Sequence, residues 1–185
     1  MEFARLNLKV DVEPLKAALE TTDLWNQIPF RKRAEHKEMV DIWVRFNDIQ
    51  PFLRKGDLTG LCDEHDSIWY RSPLVPLVKP IAHQIMAHVQ GERLGGILIT
   101  KLPPNGKIDW HSDGYWHAEY YEKYYVCVKD SGSRFRFVDG DIEPEEGDVW
   151  WFKNSKPHAV ENQAGERIAM IVCIKIDQEG EALCQ

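Results

Sequence analysis

Lys107-Ile108-Asp109-Trp110-His111-Ser112-Asp113 is the stretch that we expect the rest of this 185-residue chain to be folded around. His111 and Asp113 are two residues apart, so on an extended segment both side chains would point to the same side. An imidazole nitrogen and a carboxylate oxygen on one side supply two of the three ligands of a 2-His-1-carboxylate metal site. A His-x-Asp pair alone is common by chance, so the prediction depends on what lies downstream.

A second histidine follows in Lys156-Pro157-His158-Ala159-Val160-Glu161-Asn162, and Arg167 comes next, at the start of an apolar run. His158 would complete a triad that binds Fe(II) and leaves coordination positions open. The alternative is that His111, Asp113 and His158 are three unrelated polar residues near turns, where polar residues concentrate.

The sequence changes character at about residue 96. Residues 96–177 form short β-like runs separated by Pro, Gly and Asn, a pattern typical of a sandwich or barrel. These runs cover residues 97–102, 107–113, 120–129, 134–138, 148–152, 158–162 and 167–177. The first 95 residues predict strands at 4–12 and 39–46 and helices at 15–19 and 74–89. We therefore expect one domain over 1–185, with helices and strands in 1–95 and a β-barrel core in 96–177.

The last run has two different faces. Alternate residues from Ile168 to Ile176 are all apolar, which predicts a face covered by helices, with 74–89 as the candidate. The other face carries Arg167, Ala169 and Ile171 and would line the barrel interior. A buried arginine needs an anionic partner, and a dicarboxylate would provide one.

Composition favours a cytoplasmic protein. A net charge of −7 argues against nucleic acid or an anionic membrane surface as a partner. No apolar run is long enough to span a membrane. The four cysteines are scattered, which indicates buried or free thiols, at Cys62, Cys127, Cys173 and Cys184.

Residues 98–113 and 147–162 resemble the segments around the iron ligands of aspartyl/asparaginyl β-hydroxylase-like proteins, in the 2-oxoglutarate/Fe(II) oxygenase superfamily. The resemblance implies a mainly β (α+β) fold, a double-stranded β-helix (jelly-roll, cupin-like) with the N-terminal helices packed on one face. It also implies Fe(II) held by His111, Asp113 and His158, with O₂ as co-reactant. Arg167 would bind the far carboxylate of 2-oxoglutarate, and ascorbate could stimulate turnover.

Two positions depart from that family. Its founding hydroxylases lack the carboxylate ligand, whereas Asp113 completes the triad here. The family often carries Arg-x-His on the strand after the first ligands, and the matching residues here are Lys123-Tyr124-Tyr125. Lys123 and Tyr125 would share a face and serve as charge and hydrogen-bond donor for the near carboxylate of the cosubstrate.

The resemblance implies hydroxylation of an amino-acid side chain, either protein Asp/Asn or a free amino acid such as proline, or of a related small molecule. Two alternatives stay open: a non-enzymatic cupin-like small-molecule or metal-binding protein, and a Zn²⁺ hydrolase using the same ligands. Residues 114–121, which include Tyr115 and Trp116, either cover the open metal positions or pack on the barrel rim. We expect a small-molecule or peptide substrate, and the oligomeric state stays open.

Overall fold

Two antiparallel sheets make up most of the protein. The computed structural model describes residues 1–27, 34–61, 66–114 and 116–176. Its strands are β1 Phe3–Lys9, β2 Val40–Asn47, β3 Ser67–Trp69, β4 Arg93–Leu102, β5 Lys107–His111, β6 Glu122–Lys129, β7 Arg134–Phe137, β8 Gly140–Ile142, β9 Asp148–Phe152, β10 His158–Glu161 and β11 Arg167–Lys175. The helices are α1 Glu13–Glu20, α2 Gln50–Lys55, α3 Val75–His88 and α4 Trp116–Tyr120, with a 3₁₀ turn at Ala34–His36.

The larger sheet has the order β1-β9-β6-β11-β4-β2-β3, and the smaller one β5-β10-β7-β8. Side chains from both sheets meet in one apolar cluster, to which the large sheet contributes Leu102, Tyr125 and Phe152 and the small sheet Ile108 and Phe135. This arrangement is the predicted jelly-roll double-stranded β-helix.

Helix α3 covers the outer face of the large sheet. Its residues Val78, Ile81, Ala82 and Ile85 are buried in the same cluster as the apolar face of β11. That face consists of Ile168, Met170, Val172 and Ile174. The predicted face assignment of β11 and its covering helix are therefore confirmed.

Several short elements escaped the sequence analysis. Helices α2 and α4 and strands β3 and β8 have three to six residues each, too few to show a clear period. The sequence does contain a turn signal at the start of β8. Asp139-Gly140 is a dipeptide typical of hairpin turns, and Gly140 has φ 146°. Strand β4 starts at Arg93, and β1, β2 and β3 extend the large sheet from the first 95 residues.

The predicted strand at 107–113 was too long, because β5 ends at His111 and leaves Asp113 beyond it. Cys127 and Cys173 are buried, as predicted, and neither forms a disulfide bond with a described residue. Cys62 and Cys184 lie outside the described residues.

Candidate metal centre

The two predicted histidine ligands lie directly opposite each other on neighbouring strands. His111 ends β5, His158 begins β10, and the two are Cα partners in the ladder. Their ring centroids are 4.4 Å apart. Strand pairing thus brings together two residues that are 47 positions apart in sequence (158 − 111).

A β-bulge in β5 aims His111 into the barrel. Ile108 pairs with Val160 and His111 with His158, so three steps on β5 match two on β10. Without the bulge, Ile108 and His111 would face opposite sides of the sheet. With it, both line the same cavity while Trp110, 48% exposed, faces outward. The bulge was not predicted, because the sequence analysis assumed regular alternation of side chains along this strand.

Asp113 is positioned by the β9–β10 connection and by β6. Its backbone N–H donates to the carbonyl of Asn154 (2.9 Å), and the Asn154 amide lies 3.5 Å from Asp113 Oδ2. Lys123 Nζ also lies 3.5 Å from Oδ2. The other oxygen, Oδ1, is 3.8 Å from His111 Nε2. One carboxylate oxygen is therefore held by neighbouring side chains and the other faces the histidines.

In both histidines, Nδ1 forms a hydrogen bond with a nearby backbone carbonyl. His111 Nδ1 is 2.8 Å from the carbonyl oxygen of Asp109, and His158 Nδ1 is 2.8 Å from that of Lys156. In each case the acceptor lies two residues earlier in the chain. Donation from Nδ1–H fixes the tautomer whose Nε2 lone pair is available to a metal.

The three residues together offer a complete facial donor set. Ligand atoms of His111, Asp113 and His158 all lie within 4.8 Å of one another. Burial lowers the pKa of His158 to about 4, so its imidazole is neutral at physiological pH and can bind a cation. His111, Asp113 and His158 are therefore the residues that would hold a divalent metal ion.

The opposite end of the cavity is cationic. Arg167 is 2% exposed, and its Nε and Nη1 have no hydrogen-bond partner among the described residues. Its guanidinium carbon lies 5.2 Å from the centroid of the Tyr125 ring. The Tyr125 hydroxyl is fully buried, and burial raises its pKa. The two unpaired nitrogens of Arg167 lack an acceptor, which an anionic ligand would supply.

The rest of the cavity lining is mostly apolar, with His36, Thr100 and Lys123 as further polar residues. Its lining comprises His36, Met39, Thr100, Ile108, His111, Asp113, Lys123, Phe135, Phe152, His158, Val160, Arg167 and Ile171. Lys123 thus lies in the cavity beside Asp113, whereas Tyr125 lies next to Arg167, at the end away from the triad.

His36 and Met39 were missed by the sequence analysis. They come from the first half of the chain, and the His36 ring packs edge-on against His111 with centroids 4.6 Å apart. Glu38 fixes this segment to β5 by accepting a hydrogen bond from the Lys107 backbone (3.0 Å). Asn154 was also missed, because its role depends on contacts that are distant in sequence.

The segment after Asp113 packs in part against the body of the protein. His117, Ala118 and Tyr121 are buried, and the Asn154 amide donates to the Ala118 carbonyl (3.2 Å). Tyr115 falls outside the described residues, as does the side chain of Trp116. The proposed covering role of these two aromatic residues remains a prediction.

Comparison with known proteins extends the fold assignment. No family model matches the chain, and no curated protein matches its sequence. A 2OG-Fe(II) oxygenase family oxidoreductase from Burkholderia pseudomallei is similar in structure, with a TM-score of 0.63 and 10% identity over 94% of this chain and 84% of that one.

Two hydroxylases are similar over nearly the whole chain. A viral collagen prolyl hydroxylase of Paramecium Bursaria Chlorella virus-1, solved as a 2OG complex, has a TM-score of 0.59 and 9% identity, covering 96% of this chain and 97% of its own. A Pseudomonas putida prolyl-4-hydroxylase has a TM-score of 0.55 and 15% identity, covering 95% and 93%. At these identities the likeness shows a shared fold. None of the helices in the described ranges combines the length and the apolar composition that spanning a bilayer requires.

Proposed function

We propose that the chain is a non-haem Fe(II)- and 2-oxoglutarate-dependent dioxygenase. One observation carries the proposal: a single cavity contains a two-histidine, one-carboxylate donor set and a buried arginine whose Nε and Nη1 lack acceptors among the described residues. A zinc hydrolase would use the donor set but would leave the guanidinium without a role. A dicarboxylate cosubstrate uses both ends.

Within this proposal each end of the cavity binds one end of the cosubstrate. His111 Nε2, His158 Nε2 and Asp113 Oδ1 would hold the iron. Arg167 would donate to the far carboxylate. Tyr125, which the sequence placed at the near carboxylate, instead packs its ring against the Arg167 guanidinium and would help to position it. The near carboxylate would meet Lys123, whose ammonium has three donors and lies beside Asp113.

When bound, iron would supply, together with 2-oxoglutarate and O₂, the oxidation of a C–H bond to C–OH that accompanies release of succinate and CO₂. The chain's own residues orient the reactants and exclude water. Phe135, Phe152, Val160 and Ile171 form the apolar walls, which strengthen the charged contacts at both ends.

For the substrate we propose an amino-acid side chain, in a peptide or a free amino acid. The resemblance of residues 98–113 and 147–162 to aspartyl/asparaginyl β-hydroxylase-like proteins supports Asp or Asn. The prolyl hydroxylases that share the fold make proline an alternative. A cytoplasmic location, with neither nucleic acid nor membrane as a partner, belongs to the same proposal.

Succinate release tests the activity. Protein purified without oxygen, then given Fe(II), 2-oxoglutarate and air, should form succinate, and Asp-, Asn- or Pro-containing peptides should raise the rate. His158→Ala should abolish it, whereas His83→Ala, on the exposed face of α3, should not. If the protein bound iron and 2-oxoglutarate but formed no succinate, with or without peptides, the non-enzymatic cupin-like alternative would be favoured. Selective retention of zinc with peptide hydrolysis would favour the hydrolase.

A further inference from the structure

Lys123 is a cation placed beside a metal ligand. Its side chain is 8% exposed, and its ammonium lies 3.5 Å from Asp113 Oδ2. A lysine in this position repels any cation that Asp113 attracts. Lys123 and a metal ion would therefore compete for the same carboxylate.

The charges of the cavity lining are unbalanced. Among lining residues in the described parts of the chain, Asp113 is the single carboxylate, against the cations Lys123 and Arg167. A divalent cation bound alone would raise the excess positive charge from one to three. A dianion arriving with it returns the excess to one, so in a buried cavity the two ligands favour each other's binding.

We propose that Lys123 is a coupling residue, which opposes binding of the divalent metal alone and makes the metal and a dicarboxylate bind tightly only together. The inference rests on the proposed function, because it takes the dicarboxylate to be the cosubstrate. Lys123 weakens the metal site by pairing with Asp113 and favours the dianion by its own charge. The site therefore resists loading with iron when no cosubstrate is present.

The experiment measures Mn(II) affinity with and without saturating 2-oxoglutarate, by calorimetry on the full chain. The variant is Lys123→Met, which keeps the length of the side chain and removes its charge. The control is Lys129→Met on the same strand, where the ammonium lies 3.8 Å from Glu166 and is 34% exposed.

For the wild type we expect weak Mn(II) binding that 2-oxoglutarate strengthens markedly. Lys123→Met should bind Mn(II) alone about tenfold or more tightly, as expected for removing a like charge a few ångströms from the ion. Its gain in Mn(II) affinity on adding 2-oxoglutarate should shrink by a similar factor. Lys129→Met should match the wild type.

Unchanged or weaker binding of Mn(II) alone by Lys123→Met would overturn the proposal and make Lys123 a structural partner of Asp113. Lys123→Gln, also uncharged, gives a second variant should Lys123→Met fail to fold. A wild type that binds neither Mn(II) nor 2-oxoglutarate would instead contradict the proposed function. A wild type that binds both without coupling would contradict this inference alone.

Discussion

Burial of Arg167 destabilises the protein when no ligand is bound. The guanidinium is buried, and its Nε and Nη1 lack acceptors within the described part of the chain, so their desolvation is not repaid by hydrogen bonds. Contact with the Tyr125 ring offsets only a part of this cost. Such an arrangement is expected where a ligand completes the contacts.

Replacing Arg167 by methionine should therefore stabilise the ligand-free protein. We expect the free energy of unfolding to rise by about 1–3 kcal/mol, the cost of buried polar groups left unsatisfied. The variant should also lose any stabilisation by 2-oxoglutarate. Urea unfolding with and without 2-oxoglutarate measures both effects.

Arg134→Met is the matched control, because Arg134 is 53% exposed and pairs loosely with Glu143 at 3.5 Å. It should change stability by less than about 0.5 kcal/mol. If Arg167→Met destabilised the ligand-free protein and left the response to 2-oxoglutarate intact, Arg167 would be structural.

The sequence identified these residues but not all of their neighbours. The types and order of His111, Asp113, His158 and Arg167 were informative because each belongs to a recognisable segment. The position of Tyr125 beside Arg167 was not predictable, since it depends on pairing between β6 and β11. Strand register is a long-range property that a local pattern does not fix.

At the scale of elements, the bulge in β5 does more than aim His111. The carbonyl of Asp109, inside the bulged stretch, accepts the hydrogen bond from His111 Nδ1. The hydrophobic pattern of β5 gives no sign of it, because Trp110 is apolar yet exposed.

Deleting Asp109 should restore regular pairing between β5 and β10 and leave the fold intact. The acceptor for His111 Nδ1 would be lost, so we expect metal affinity to fall about 10- to 100-fold, as for other partners of ligating histidines. Circular dichroism and a Mn(II) titration with 2-oxoglutarate present check the two parts. An unchanged affinity would show that the Asp109 carbonyl is dispensable.

Helix α3 supports the sheet from outside and is remote from the cavity. Ile85 is fully buried against the large sheet, so Ile85→Ala should lower the free energy of unfolding by about 2–5 kcal/mol. Because Ile85 does not line the cavity, the affinity of the folded variant for Mn(II) and 2-oxoglutarate should stay unchanged.

Chemical denaturation and calorimetry measure these quantities for Ile85→Ala. His83→Ala on the exposed side of α3 serves as the control and should be nearly neutral. A change in ligand affinity in Ile85→Ala would mean that α3 shapes the cavity through β11.

For the whole molecule, the two halves of the chain contribute differently to the site. The second half supplies the three candidate ligands and Arg167, with Asp113 just beyond the end of β5. The first half supplies His36 and Met39 to the cavity wall and three strands to the large sheet. These contributions could not be predicted, because single contacts across the molecule leave no periodic signal in the sequence.

The overall charge and the charge of the cavity also have opposite signs. The chain carries −7, whereas the cavity lining in the described residues has two cations against one carboxylate. A basic cavity in an acidic protein is consistent with a small anionic ligand and gives no support to a polyanionic partner.

The most direct test of this account is the iron content of the protein after anaerobic loading with Fe(II) and 2-oxoglutarate, followed by desalting. The account predicts about one iron per chain for the wild type and for His83→Ala, and none for a folded His158→Ala. A wild type that retains no iron, or a His158→Ala variant that retains as much as the wild type, would contradict it.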